Sequence, residues 1–264
     1  MSFLNVEDKT FLISGVANKK SVAYFTAKLL QEEGAKVIFT VLNEATKEKV
    51  AKLFPGEQIF ICDVNKEDSI KEMSKEIKEQ DISLAGFLHS IAFANYKMEK
   101  ESFLDTKSND FLEATNISCL SLVTMSRYLK DSFSNEASIV TVSISNTKAT
   151  SYGYMGPIKA ALDSAVPFLA KSFSEFSNIR VNAVCSGPLK TSAAAGIPGY
   201  IDNYLFAEQL TLRKKALKTS EVANTISFLL SPRSSGINGA GLTIDAGMSC
   251  NYFDEDIVNK FAKY

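Results

Sequence analysis

Histidine is almost missing from this chain: there is one, His89, in 264 residues. A multi-histidine metal site is therefore excluded, and a Ser/His/Asp triad would have to be built on that ring. His89 ends the apolar run Leu84-Ala85-Gly86-Phe87-Leu88, so a packed or hydrogen-bonded strand-end histidine is expected. Cysteine is sparse as well. Cys62, Cys119, Cys185 and Cys250 are widely spaced and match no metal pattern. They read as buried thiols of a reducing compartment, which makes the cytoplasm the expected location. No apolar run approaches the roughly 20 residues that span a bilayer, so no membrane partner is expected. The start, Met1-Ser2-Phe3-Leu4-Asn5, lacks the basic and long apolar stretches of a signal peptide. Charge of one sign is lacking too: 29 Lys and Arg stand against 30 Asp and Glu, a net charge of -1. That balance argues against nucleic acid or an anionic membrane as partner. No linker, low-complexity tract or repeat divides the chain, so residues 1–264 read as a single domain.

What is present is an ordinary globular balance, 45% apolar and 22% charged, enough for a sizeable core. Short apolar runs alternate with helical spacing from end to end. Strands are expected at 10–14, 36–40, 58–62, 84–89, 138–142, 179–184 and 242–244. Helices are expected at 21–33, 44–53, 67–79, 157–173 and 221–230, with one long helix over Ser108 to Phe133. Continuous apolar strands suit burial on both faces. The pattern predicts a Rossmann-like α/β fold, a doubly wound parallel sheet of about seven strands with helices on both faces. Ligands then bind at the carboxyl ends of the strands. The irregular stretches 92–107 and 186–218 both follow strands, and loops of that length are usually functional.

The chain is organised around Ser151-Tyr152-Gly153-Tyr154-Met155-Gly156-Pro157-Ile158-Lys159. The helix is expected to open near Pro157, where a missing N–H costs little. Tyr152 and Lys159, seven positions apart, can then present to one side. A phenol whose pKa is depressed by a neighbouring ammonium is a proton-donor pair. A surface Tyr and Lys at a helix start is the plainer reading of the two residues taken alone. The turn after the first strand, Gly15-Val16-Ala17-Asn18-Lys19-Lys20-Ser21, keeps only one glycine of the usual dinucleotide pattern. Gly15 permits a tight turn, small Ala17 lets backbone approach a pyrophosphate, and Ser21 lies at the helix N-terminus. Asp63 and Val64 suit an adenine, Ser90, Ile91 and Ala92 a ribose, and Thr191 a nicotinamide amide. No Arg follows the second strand, which leans towards NADH over NADPH; Lys19 or Lys47 would overturn that. Each of these strand-end residues also has a plain turn-capping reading.

With these residues assembled, the chain resembles the short-chain dehydrogenase/reductase superfamily. Within it, the chain looks like the bacterial enoyl-acyl-carrier-protein reductase branch. The carrying motifs are Gly15 to Asn18 with Ser21, Val22 and Ala23, then His89 to Ala94, Tyr152 with Lys159, and Arg180 to Ala183 through Ser186 to Thr191. The Tyr-to-Lys spacing is the most branch-specific sign. The resemblance implies NAD(P)H-dependent reduction of a 2-enoyl thioester of acyl-carrier protein or coenzyme A. It implies Tyr152 on the thioester oxygen, Lys159 on the nicotinamide ribose, and Val22, Leu42, Pro188 and Leu189 among the cofactor residues. Ala94, Tyr152, Ala193 and Ile197 would meet the substrate, the last two on a lid within 186–218. It also implies a homotetramer, for which Leu120, Leu122, Val123, Leu169 and Phe173 are candidate packing residues. Ile144 stands where the branch carries a further tyrosine, and Leu42 where it carries glutamine. Tyr154 is a candidate substitute for the missing hydroxyl, and Ser143 and Asn116 match the wider superfamily's proton relay. A carbonyl reductase or alcohol dehydrogenase using Ser143 and Tyr152, and a non-catalytic dinucleotide-binding protein, remain as alternatives.

Overall fold

The computed structural model describes residues 3–96, 102–191, 194, 197 and 199–262. Seven strands form one sheet: β1 (Thr10–Ser14), β2 (Lys36–Val41), β3 (Ile59–Ile61), β4 (Leu84–His89), β5 (Phe133–Ile144), β6 (Arg180–Ser186) and β7 (Gly241–Ile244). Their order is β3-β2-β1-β4-β5-β6-β7, and every pairing is parallel. β6 is buried along its whole length, as a strand covered on both faces must be. The helices are α1 (Val22–Glu32), α2 (Glu44–Leu53), α3 (Glu67–Glu79), α4 (Ser108–Thr115), α5 (Ser121–Leu129), α6 (Met155–Ser174), α7 (Tyr200–Leu210), α8 (Thr219–Leu230) and α9 (Glu255–Phe261). Ile70, Met73, Leu122, Leu162 and Val166 seal α3, α5 and α6 to one face. Ala27, Leu30, Val50, Val222 and Ile226 seal α1, α2 and α8 to the other. The chain winds outward from β1 to β3, then returns to β1's other edge as β4. The β1/β4 boundary is the switch point at which such sheets open a ligand crevice.

Several expectations need correction. The stretch Ser108 to Phe133 is not one helix. A π-helical turn, Asn116–Leu120, parts α4 from α5. There Ser121 Oγ donates to Ile117 O at 2.6 Å, in competition with the helical ladder, while Ser118 Oγ accepts from Phe93 N at 2.8 Å and ties the turn to the loop after β4. Phe133 belongs to β5, which starts five residues before the apolar run. The extra length is absorbed by a register shift between Leu84↔Phe133 and Gly86↔Ser138. α6 opens at Met155, two residues ahead of Pro157. The stretch 186–218 contains α7, and α9 follows β7. Cys62, Cys119 and Cys185 are buried, but Cys250 is exposed. Leu122, Leu169 and Phe173 face their own sheet; Leu112, Leu120 and Phe168 are the outward apolar side chains on these helices.

Arg180 anchors the end of α8. Its guanidinium donates to Ser231 O (3.0 Å), Ser234 O (2.9 Å) and Leu229 O (3.3 Å), a cation at the negative end of the helix. Arg180→Ala strands these buried carbonyls. It is expected to cost about 3–5 kcal/mol, measured as a fall in urea midpoint at constant slope. No helix among the described residues is long and apolar enough to cross a membrane.

Candidate active site

The carboxyl ends of six strands deliver the candidate residues along one rim. At the switch point Ser14 Oγ donates to Leu88 O (2.7 Å) and accepts from Ser90 N (3.2 Å). Gly15, at φ +86°, lies so close that a Cβ there would fall 1.9 Å from Ser90 O. Two loops therefore meet backbone to backbone, with Ala17 exposed beside them. Ser21 spends its hydroxyl on Asn18 O (2.8 Å). The first turn of α1, starting at Val22, thus carries no side-chain cap. Uncapped N–H groups at this position fit a pyrophosphate.

Towards β3, Leu42, Asn43, Asp63 and Lys66 line an open groove of about 1130 Å³. Leu42 is 55% exposed, and Val64 is buried beneath. The Asp63 carboxylate is held locally, by Asn65 N (3.1 Å) and Lys66 (3.1 Å). Ser90, Ile91, Ala92 and Ala94 continue from β4 above the sheet's middle, with Ala92 exposed and the others half-buried.

Tyr152 stands on a 3-10 turn, Thr150–Tyr152, after β5. Its hydroxyl has no hydrogen-bond partner among the described residues. The expected ammonium effect on it is absent. Burial, with a smaller contribution from Tyr200, pushes its pKa up to about 12, so it remains a donor at neutral pH. Lys159 is 4% exposed, and its Nζ donates to Val142 O at 2.7 Å. Burial lowers its pKa to about 8 against the opposing charge of Asp163. Asp163, four residues further along α6, is a half-buried carboxyl that the motif reading overlooked; the i, i+4 spacing from Lys159 was its signal.

His89 is buried. Its Nε2 lies 2.8 Å from Ser121 Oγ, and its Nδ1 2.9 Å from Thr141 Oγ1. Burial, then Lys159, lowers its pKa to about 3, so the ring is a neutral core group with both nitrogens engaged. Ser143 is 1% exposed, and its hydroxyl is buried with no hydrogen-bond partner among the described residues. Asn116 turns to Asn65, donating to Oδ1 at 2.8 Å. Neither forms a hydrogen bond with Tyr152 or Lys159. Tyr154, the candidate substitute for the hydroxyl missing at Ile144, is 6% exposed, and its Oη accepts from Asn95 N at 2.7 Å. After β6, Pro188 is half-buried, and both backbone groups of buried Leu189 are held by the Tyr200 phenol (2.8 and 2.9 Å). Thr191 Oγ1 accepts from Ala194 N at 3.3 Å, and Ile197 is half-buried. Ala193 lies outside the described residues. Tyr200 and Tyr96 carry no motif signal, and only the folded chain brings them to Leu189 and Tyr152.

Set beside known proteins, residues 15–249 match the family described as Enoyl-(Acyl carrier protein) reductase. The chain belongs to that family. An enoyl-[acyl-carrier-protein] reductase [NADPH] of Staphylococcus aureus is 33% identical over 251 residues, 92% of this chain and 98% of that one. The corresponding NADH enzyme of Enterococcus faecalis is 34% identical over 246 residues, with the same coverage. A crystal structure of the Anaplasma phagocytophilum reductase in complex with NAD superposes with a TM-score of 0.87. It shares 30% identity and covers 93% of this chain and 95% of its own. The family's curated members thus divide between NADH and NADPH.

Proposed function

We propose that this chain reduces the 2,3 double bond of an enoyl thioester carried on acyl-carrier protein, in fatty-acid biosynthesis, with NAD(P)H. The observation that carries the reading is the protonated Tyr152 phenol, unspent by the described residues, on the rim of a switch-point crevice in a member of this family. Bound NAD(P)H would supply the hydride for the β-carbon, and a proton from water would complete the reduction at the α-carbon. Tyr152 donates to the thioester oxygen as negative charge gathers there, a bond stronger in the transition state than in the substrate. Lys159 holds the nicotinamide ribose, Gly15, Ala17, Ser21 and Val22 seat the pyrophosphate, and Leu42, Asp63 and Val64 border the adenosine. Ser90, Ile91, Ala92, Pro188, Leu189 and Thr191 complete the cofactor's bed. Ala94, Ala193 and Ile197 meet the acyl chain under a lid within 186–218. The end of β2, Val41-Leu42-Asn43-Glu44, offers no Arg for a 2′-phosphate, so NADH is the preferred reductant. The enzyme works in the cytoplasm as a homotetramer, joined through the outward face that carries Leu112, Leu120 and Phe168.

A spectrophotometric screen tests this, pairing NADH and NADPH with enoyl thioesters of graded length on acyl-carrier protein and coenzyme A. NADH oxidation with the enoyl thioesters is expected. Turnover of ketones alone would replace the assignment with a carbonyl reductase. Tight NADH binding without any turnover would make the chain a binding protein. The carbonyl-reductase reading needs a Ser143 hydroxyl bonded to Tyr152, whereas that hydroxyl is buried without a hydrogen-bond partner among the described residues.

Lys159 adds a pH dependence. Its pKa of about 8 is lowered by burial, so the ammonium predominates below that value and is lost above it. If the charge holds the ribose, NADH affinity falls as pH rises through this range, and Lys159→Met flattens the curve. Fluorescence titrations of NADH on either side of the pKa decide it.

A further inference from the structure

We propose that Tyr96 is a positioning residue for Tyr152, holding the turn that carries it by bonds to that turn's own backbone. The inference rests on the reading of Tyr152 as the donor to substrate.

The bonds within the turn are short-range, Tyr152 N to Ala149 O (3.0 Å) and Gly156 N to Gly153 O (3.2 Å), and do not tie it to the rest of the fold. Gly153 follows Tyr152 with φ 61° and ψ -150°, a conformation open essentially to glycine alone. α6 then starts at Met155 with no side-chain cap. One phenol adds that tie from outside the turn. Tyr96 Oη donates to Tyr152 O at 2.7 Å and accepts from Met155 N at 3.2 Å, closing the turn from both ends. A Cβ at Gly153 would sit 2.9 Å from that oxygen, so glycine serves both the dihedral and the approach. The clasp is doubled from the other side. The Tyr154 ring packs at a tilt of 43° against the Tyr96 ring, 4.7 Å between centroids, and its hydroxyl accepts from Asn95 N. The loop after β4 and the turn before α6 are thereby locked to each other.

The Tyr96 proton is committed to Tyr152 O and is not offered to substrate, so this residue acts through Tyr152. Burial pushes its pKa up to about 12, which keeps the donor in place at neutral pH. A displaced phenol at residue 152 loses alignment with the thioester oxygen, and an error of about 1 Å can cost on the order of 10²-fold in rate.

Tyr96→Phe keeps the ring packed against Tyr154 and removes only the two backbone bonds. It is expected to lower kcat for an enoyl thioester by on the order of 10-fold or more, with the NADH dissociation constant unchanged. Hydrogen exchange of the Met155 amide is expected to accelerate in the same variant, whatever its activity. A wild-type kcat, or a parallel loss of kcat and NADH affinity, would overturn the proposal. Tyr152→Phe is measured alongside. If that variant is inactive while Tyr96→Phe is normal, only the positioning role falls. If Tyr152→Phe is fully active, the donor reading falls first and the role of Tyr96 goes with it.

Discussion

Tyr152→Phe lowers kcat for an enoyl thioester by about 10²–10³-fold, the usual cost of removing one oxyanion donor, while NADH still binds. The substitution is unusually clean here. The ring stays packed against the core cluster that includes Met155 and Ile158. The lost hydroxyl makes no hydrogen bond with a described residue, so no bond to those residues is broken. Melting temperature and NADH titration should therefore match the parent, and only the chemical step should suffer. A variant that kept its turnover would remove the phenol from the reaction.

Gly15→Ala is expected to be the most damaging single methyl at the cofactor end. Its Cβ would lie 1.9 Å from the backbone oxygen of Ser90, at φ +86°. No rotamer change relieves a clash with backbone. The loop after β4 must move, breaking the Ser14–Ser90 bond and spoiling the crevice at the switch point. A loss of about 3–5 kcal/mol in urea unfolding is expected, together with loss of saturable NADH binding. Gly56→Ala is the control. Gly56 has a similar φ of +85°, but nothing lies within 4 Å of its added Cβ. It should cost only about 1–2 kcal/mol, for the left-handed backbone. Equal losses at the two sites would mean that dihedral strain, and not the approach of two loops, explains Gly15.

The sequence by itself determined the alternation of strands and helices, the parallel sheet, and the rim where the candidate residues gather. These depend on runs of neighbouring residues, and a run such as Lys36-Val37-Ile38-Phe39-Thr40 has few other ways to bury itself. The tyrosine-to-lysine spacing was legible for the same reason. The tertiary structure alone decided the rest. The π-helical turn, the early start of β5 and α7 arise where partners far along the chain override local pattern; α7 has no clean apolar stripe, with Ile201, Leu205 and Phe206 outward and only Ala207 buried. The chemistry of Tyr152 and Lys159 changed likewise. Burial raises one pKa and lowers the other, and desolvation is a property of the packed interior that spacing along a chain does not carry. The clasp of Tyr96 on Tyr152 joins residues 56 positions apart, so only folding could bring it about.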